Sequence, residues 1–173
     1  LNEIPAPLAD EAAERWAAFD LGLMDWPQVI AWADGWILRL DIHPELLLDV
    51  SLSVTRPRDG VTALKRMANL SGKTTLFPYL KAIWREKWIA GEISSADVVS
   101  GAWRAGQSIP PDTEEWKRVD RLDHCLEEAI ADWLPDEARK AAEHLLAQEV
   151  EAYLELSPDE HTLPFESNGG ELE

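Results

Sequence analysis

One cysteine, Cys125, stands in a chain of 173 residues, so no disulfide can form within it. That scarcity fits a reducing compartment. Long apolar runs are missing as well. The longest stretch without Asp, Glu, Lys or Arg is Trp26–Ala33, eight residues, whereas a membrane-spanning helix needs about 20. The opening residues are acidic and lack the basic-then-apolar pattern of a signal peptide. These features lead to the expectation of a cytoplasmic chain with no membrane span. Bases are also in short supply: 16 Lys and Arg face 33 Asp and Glu, a net charge of −17. Such a balance argues against direct nucleic-acid binding, whose affinity comes from neutralised phosphates. It favours solubility and would draw a basic partner inward.

Glycine is sparse where a nucleotide hydrolase would need it. The stretch Leu70–Leu76, "LSGKTTL", ends like a phosphate-binding loop, with Gly72, Lys73 and Thr74 in place. The first glycine of that pattern falls five residues before the second, and Met67 stands there, with a side chain where backbone amides must wrap the phosphate. The approach is helical rather than an apolar strand. Val61, Leu64, Met67 and Leu70 recur at helical spacing, with Asp59 as the expected N-cap. Gly72 then reads as a left-handed helix cap, and Thr74 or Thr75 as the cap of the next helix.

What the chain does contain is amphipathic helix at nearly every segment. Asp10 is placed to cap "EAAERWAAFDLGL", and Asp25 to cap "WPQVIAWADGWILRL", with proline in the first turn. Val29, Trp32, Ala33, Trp36, Ile37 and Leu40 form the stripe of that second helix. A short helix follows Pro44, where "LLLDVSLSV" also has the length of a strand. Ser94 or Ser95 caps "SADVVSGAWRAG". Two longer helices close the pattern, from about Asp112 to Leu134 and from about Asp136 to Leu156, separated by Pro135. Trp116, Val119, Leu122, Leu126, Ile130 and Trp133 are the expected buried stripe of the first, and Ala142, Leu145, Leu146, Val150 and Tyr153 that of the second. The expected fold is all-α: an irregular multi-helix bundle of about seven to eight helices ending in an antiparallel hairpin. A single helical domain is expected over residues 1–156, followed by a flexible acidic tail over 157–173.

Charge is unevenly spread. Residues 1–55 carry 10 acids and 2 bases, residues 56–106 carry 4 and 9, and residues 107–173 carry 19 and 5. The basic middle can neutralise one flank inside the fold and leave the other as an acidic face. In the long hairpin the carboxylates lie mostly off the apolar stripes. Asp120, Asp123, Glu127, Glu128 and Asp132 are the first candidates for partner contact, with Glu143, Glu151 and Glu155 behind them.

Catalytic signatures are weak by comparison. Neither His124 nor His144 is preceded by glutamate at the third position, as a carboxylate-bridged di-metal bundle requires, and there is no Cys-x-x-Cys. Asp120, His124 and Glu128 can share a helix face, which fits a surface network better than a metal centre. His43 and His161 lie apart in sequence. Cys125 and His124 are helix neighbours whose side chains diverge by about 100°, so no nucleophile–base pair is expected. No enzyme activity and no cofactor are expected.

Nine tryptophans are a high count, and most sit at core spacing. Trp26, Trp84 and Trp88 are the ones expected to be partly exposed. The segment Leu21–Ser53, "LGLMDWPQVIAWADGWILRLDIHPELLLDVSLS", carries a Trp-x-x-Val-Ile-x-Trp-Ala-Asp helix. It resembles small acidic bacterial proteins of unknown or immunity function found beside secreted or contact-delivered toxins. The resemblance implies an antitoxin that binds and blocks a cognate toxin, and it brings no catalytic residues. Such a toxin, if a nuclease, is basic around its active site, and an acidic inhibitor gains rate and specificity from that. The rival readings are a metal-assisted hydrolase with a carboxylate-rich pocket and a non-enzymatic helical adaptor, which metal analysis of the purified protein separates.

Overall fold

The computed structural model describes residues 4–155, and they form eight α-helices and one short 3-10 turn, with no strand among them. The helices are α1 (Ala6–Asp20), α2 (Trp26–Ile37), α3 (Glu45–Ser51), α4 (Pro57–Ala68), α5 (Phe77–Ile89), α6 (Ser95–Gly106), α7 (Glu114–Ala129) and α8 (Asp136–Glu155). None is long and apolar enough to cross a membrane. The all-α expectation therefore holds, and "LLLDVSLSV" is helix as far as Ser51, followed by the 3-10 turn at Ser53–Thr55. The expected tail, residues 157–173, lies outside the described residues, as does His161.

Helix ends follow local chemistry. Asp25 caps α2 in a reciprocal box with Gln28, each side chain accepting the other's backbone N–H, at 2.9 and 2.8 Å. Ser94 and Asp97 do the same for α6. Other caps differ from expectation. α1 begins four residues before Asp10, with Pro5 as its N-cap and Pro7 second in the helix, and α4 begins at Pro57, before Asp59, because proline in the first turn supplies a preset φ and no amide to satisfy. Gly72 is not left-handed. That conformation is taken by Gly22 and Gly91, with φ of 74° and 71°. At each, the next amide reaches back five residues, Leu23 to Ala18 at 2.8 Å and Glu92 to Lys87 at 2.9 Å, which is the Schellman closure.

Buried side chains gather in two clusters. Leu8, Ala12, Val29, Ala33, Leu47, Val50, Leu64 and Met67 join α1 to α4. Phe77, Leu80, Trp84, Val98, Val99, Val119, Leu122, Leu146, Val150 and Tyr153 join α5 to α8. The end of α1 bridges them, since Ala17 and Leu21 pack on the second cluster. Polar contacts fasten the seam: Arg15 binds the Tyr79 hydroxyl, Lys73 binds Glu14, and the Arg104 guanidinium donates to the Asp20 carbonyl at 2.8 Å. The basic middle thus pairs with the N-terminal acidic flank at Lys73–Glu14 and Arg104–Asp20, and with the C-terminal flank at Lys81–Glu115.

Close packing fixes one glycine. A Cβ on Gly60 would collide with Ser53 Oγ and would lie 2.5 Å from the Trp26 ring. That ring donates its indole N–H to Ser53 Oγ at 3.1 Å. Gly60→Ala is expected to destabilise the fold by about 1–3 kcal/mol through overpacking. Urea unfolding checks it, and wild-type stability would show that α4 is free to shift away from α2.

The tryptophans of the Trp26–Asp34 motif are engaged inside the fold. The Trp32 and Trp36 indoles donate to one oxygen of Glu11 at 2.8 and 2.9 Å, which pins α2 on α1. Burial alone pushes the Glu11 carboxyl up, but the two indole bonds, with Arg15 and Arg39 nearby, outweigh it and hold its pKa below the usual value. A depressed carboxylate contributes stability above its unfolded pKa and loses it as pH falls through the folded value. Glu11→Gln is therefore expected to cost about 1–2 kcal/mol at neutral pH. The gap to wild type should shrink on acidification below about pH 4, near the unfolded glutamate pKa. Denaturant titrations at neutral and acid pH test this, and a pH-independent gap would contradict it.

Candidate functional site

The Gly72-Lys73-Thr74 segment is used by the protein itself. Asp10 Oδ1 accepts from Ser71 Oγ at 2.6 Å and from the Gly72 amide at 3.1 Å. Lys73 Nζ is held by Glu14, one turn along the same helix. Asp10, expected as a cap, thus docks the loop onto the middle of α1, and the lysine a phosphate would need already has a carboxylate.

The other charged region is the α7–α8 pair. It is antiparallel: Arg121 meets Glu149 at 2.6 Å, and nearer the start of α7 Glu115 lies beside Tyr153. Thr113 caps α7 through the Trp116 amide at 3.2 Å. Helical spacing puts Asp120, Asp123 and Glu127 on one flank of α7. Asp120 and Glu127 are exposed, and Asp123 is half-buried. Burial first, then the nearby charges of Glu127 and Asp120, push the Asp123 carboxyl up. His124 lies 3.7 Å from both Glu127 and Glu128. No Lys or Arg forms an ion pair with any of the eight candidate carboxylates among the described residues, whereas neighbouring Glu114 and Glu149 are paired.

The eight do not make one patch. Asp132 lies in the turn between the helices and Glu143 in the first half of α8, both exposed. Glu151 and Glu155 share a face near the other end of α8, a helix of 20 residues and so about 30 Å long. The structure therefore sets Glu127, Glu128, Asp132 and Glu143 toward the turn, while Asp120, next to the Arg121 that meets Glu149, lies at the level of Glu151, with Asp123 between and Glu155 near the far end.

At the turn the expected apolar stripe fails. α7 ends at Ala129, not near Leu134. Ile130 is 64% exposed and Trp133 is 81% exposed, and Leu145 on α8 is exposed too. The first half of α8 is solvent-facing almost all round, and its buried residues begin only at Leu146. The core reaches Ala129, the last residue of α7, and the turn that follows carries Ile130 and Trp133 outside it. The periodic pattern ran on through Ile130 and Trp133 and gave no sign that the body they would pack against stops short. Pro135 was the available signal, since the residues before a proline leave the helical region. Trp84, expected to be partly exposed, is 1% exposed and central to the core. Trp26 and Trp88 are half-buried, and the Trp88 indole donates to Ser95 Oγ at 3.2 Å.

Among the described residues, no group of three or more His, Cys, Asp or Glu side chains is placed to hold a metal ion. Cys125 is half-buried, and burial together with Glu149 and Glu128 pushes its thiol up against the opposing Arg121, which disfavours the reactive thiolate. The hairpin end carries instead an exposed indole and isoleucine among carboxylates that no described Lys or Arg pairs. Comparison with known proteins yields no matching family model, no matching curated protein and no matching solved structure.

Proposed function

We propose that this chain is an immunity-type inhibitor that binds a basic bacterial toxin through the turn end of the α7–α8 hairpin. The observation that carries the reading is Trp133, 81% exposed in a turn flanked by carboxylates that no described Lys or Arg pairs. An exposed tryptophan beside Ile130 is the residue type that concentrates binding energy. Glu127, Glu128, Asp132 and Glu143 at the same end of the hairpin, with Asp120 further along α7, supply the field that would steer a basic surface and fix its register. Residues 107–173 carry 19 acids against 5 bases, which matches the needs of a surface that covers a nuclease's cationic cleft. The pattern likeness of Leu21–Ser53 to immunity-like proteins supports the same class of function. Its tryptophans serve the α1–α2 contact, so partner contact is assigned to the other end of the chain.

The test is protection in cells. The chain is co-expressed with the product of the reading frame directly upstream of its own gene. Protection that is lost on Trp133→Ala supports the reading. A lack of protection by the wild-type chain, or full protection by the variant, counts against it.

A further inference from the structure

A cavity of about 730 Å3 opens at the end of the α7–α8 pair away from the hairpin turn, between the start of α5, the start of α7 and the end of α8. We propose that it is a binding site for a small amphiphilic anion, an organic carboxylate or sulfonate with an aliphatic or aromatic body. The size is that of ordinary ligand sites, about 300–1,000 Å3. Phe77, Pro78, Ile109 and Leu154 supply apolar walls. Two guanidiniums, Arg85 and Arg118, also line it. Neither makes a hydrogen bond or ion pair with a described residue, although the chain has about twice as many acids as bases, 33 against 16.

The other charges in the lining are accounted for. Lys81, only 8% exposed, binds Glu115 at 3.0 Å and lies 4.1 Å over the Tyr153 ring. Burial pushes the Lys81 pKa down against the pull of Glu115. Glu114 pairs with Lys117 at 2.6 Å, outside the lining. Only Glu155 remains to offset the two arginines. The first turns of α5 and α7 both border the space, and Leu76 gives α5 no side-chain cap. The α5 start adds a positive dipole end to the same volume, although Thr75 takes the Phe77 amide at 3.3 Å. An anion held by Arg118 and Arg85, with its body against Phe77, Ile109 and Leu154, satisfies every one of these groups.

Isothermal titration of the full chain with decanoate, below its micelle concentration, tests the assignment. Decanol serves as the neutral match and inorganic phosphate as the charge without the body. The expected result is one decanoate per chain, with decanol and phosphate each weaker by about tenfold or more, the scale of a charge-assisted contact. Arg118→Gln should weaken decanoate by a similar factor. Arg85→Gln, at an exposed position, provides the same reading should the first variant unfold. Trp133→Ala should leave decanoate binding unchanged, which keeps this site separable from the partner surface. Absence of binding, equal affinity for decanol, or unaltered affinity in the arginine variants would overturn the proposal.

Discussion

Trp133→Ala is expected to weaken binding of the partner by about 2–4 kcal/mol, the range of an interface hot spot, while stability stays within about ±0.5 kcal/mol. The two halves of this expectation share one cause. At 81% exposure the indole contributes little to the folded monomer, so its removal leaves no cavity. In a complex the same ring would be enclosed, and its truncation would forfeit the area that it buries. Ile130 stands three residues earlier, also exposed, and should add a smaller loss. Binding measured by titration calorimetry, alongside urea unfolding of the same protein, checks both halves. A large stability loss with unchanged affinity would place Trp133 in the fold and not at an interface.

Trp84→Ala should have the opposite profile, with a loss of about 3–5 kcal/mol in unfolding free energy, the cost of deleting a large buried aromatic. The ring is enclosed in the α5–α8 core, with Phe77 6.5 Å away between centroids. A Cβ built on Gly101 would lie 3.0 Å from it. The glycine lets α6 approach the ring closely, so a small replacement leaves a void that α6 cannot fill without moving. Urea unfolding measures the loss. A cost below about 1 kcal/mol would mean that the site collapses freely, contrary to the tight packing of such cores.

Much of the architecture was legible because helices announce themselves locally. Asp25 with Gln28 and Ser94 with Asp97 form their boxes by sequence spacing alone, and the stripes Val29/Ala33 and Val119/Leu122 are buried as periodicity requires. The misreadings concern tertiary reach. Asp10 and Asp59 look like caps, yet proline starts the helices earlier and leaves Asp10 free to bind the Gly72 loop. Gly72 looks like a helix terminator, but that loop is held by a carboxylate from α1, a contact across some sixty residues. For the candidate site, the sequence showed where acids accumulate but not which apolar residues lie among them. Ile130, Trp133 and Leu145 satisfy the helical period, and whether such positions are buried depends on where the opposing helices end. The cavity lined by Arg85 and Arg118 was invisible for the same reason, since it is assembled from three helices distant in sequence.

The rate of association with the upstream reading frame's product tests the central claim most directly. Wild-type chain is compared with a variant in which Asp120, Glu127, Glu128 and Asp132 are all changed to lysine. Asp123 is left alone because it is half-buried. A second variant, with Asp20 and Asp25 reversed, controls for charge elsewhere. The account predicts that the hairpin variant associates at least about tenfold more slowly at low salt, with dissociation less affected. The difference should fade near 1 M salt, where the screening length is about 3 Å. Association of the hairpin variant at the wild-type rate in low salt, or an equal slowing by the Asp20 and Asp25 variant, would contradict it.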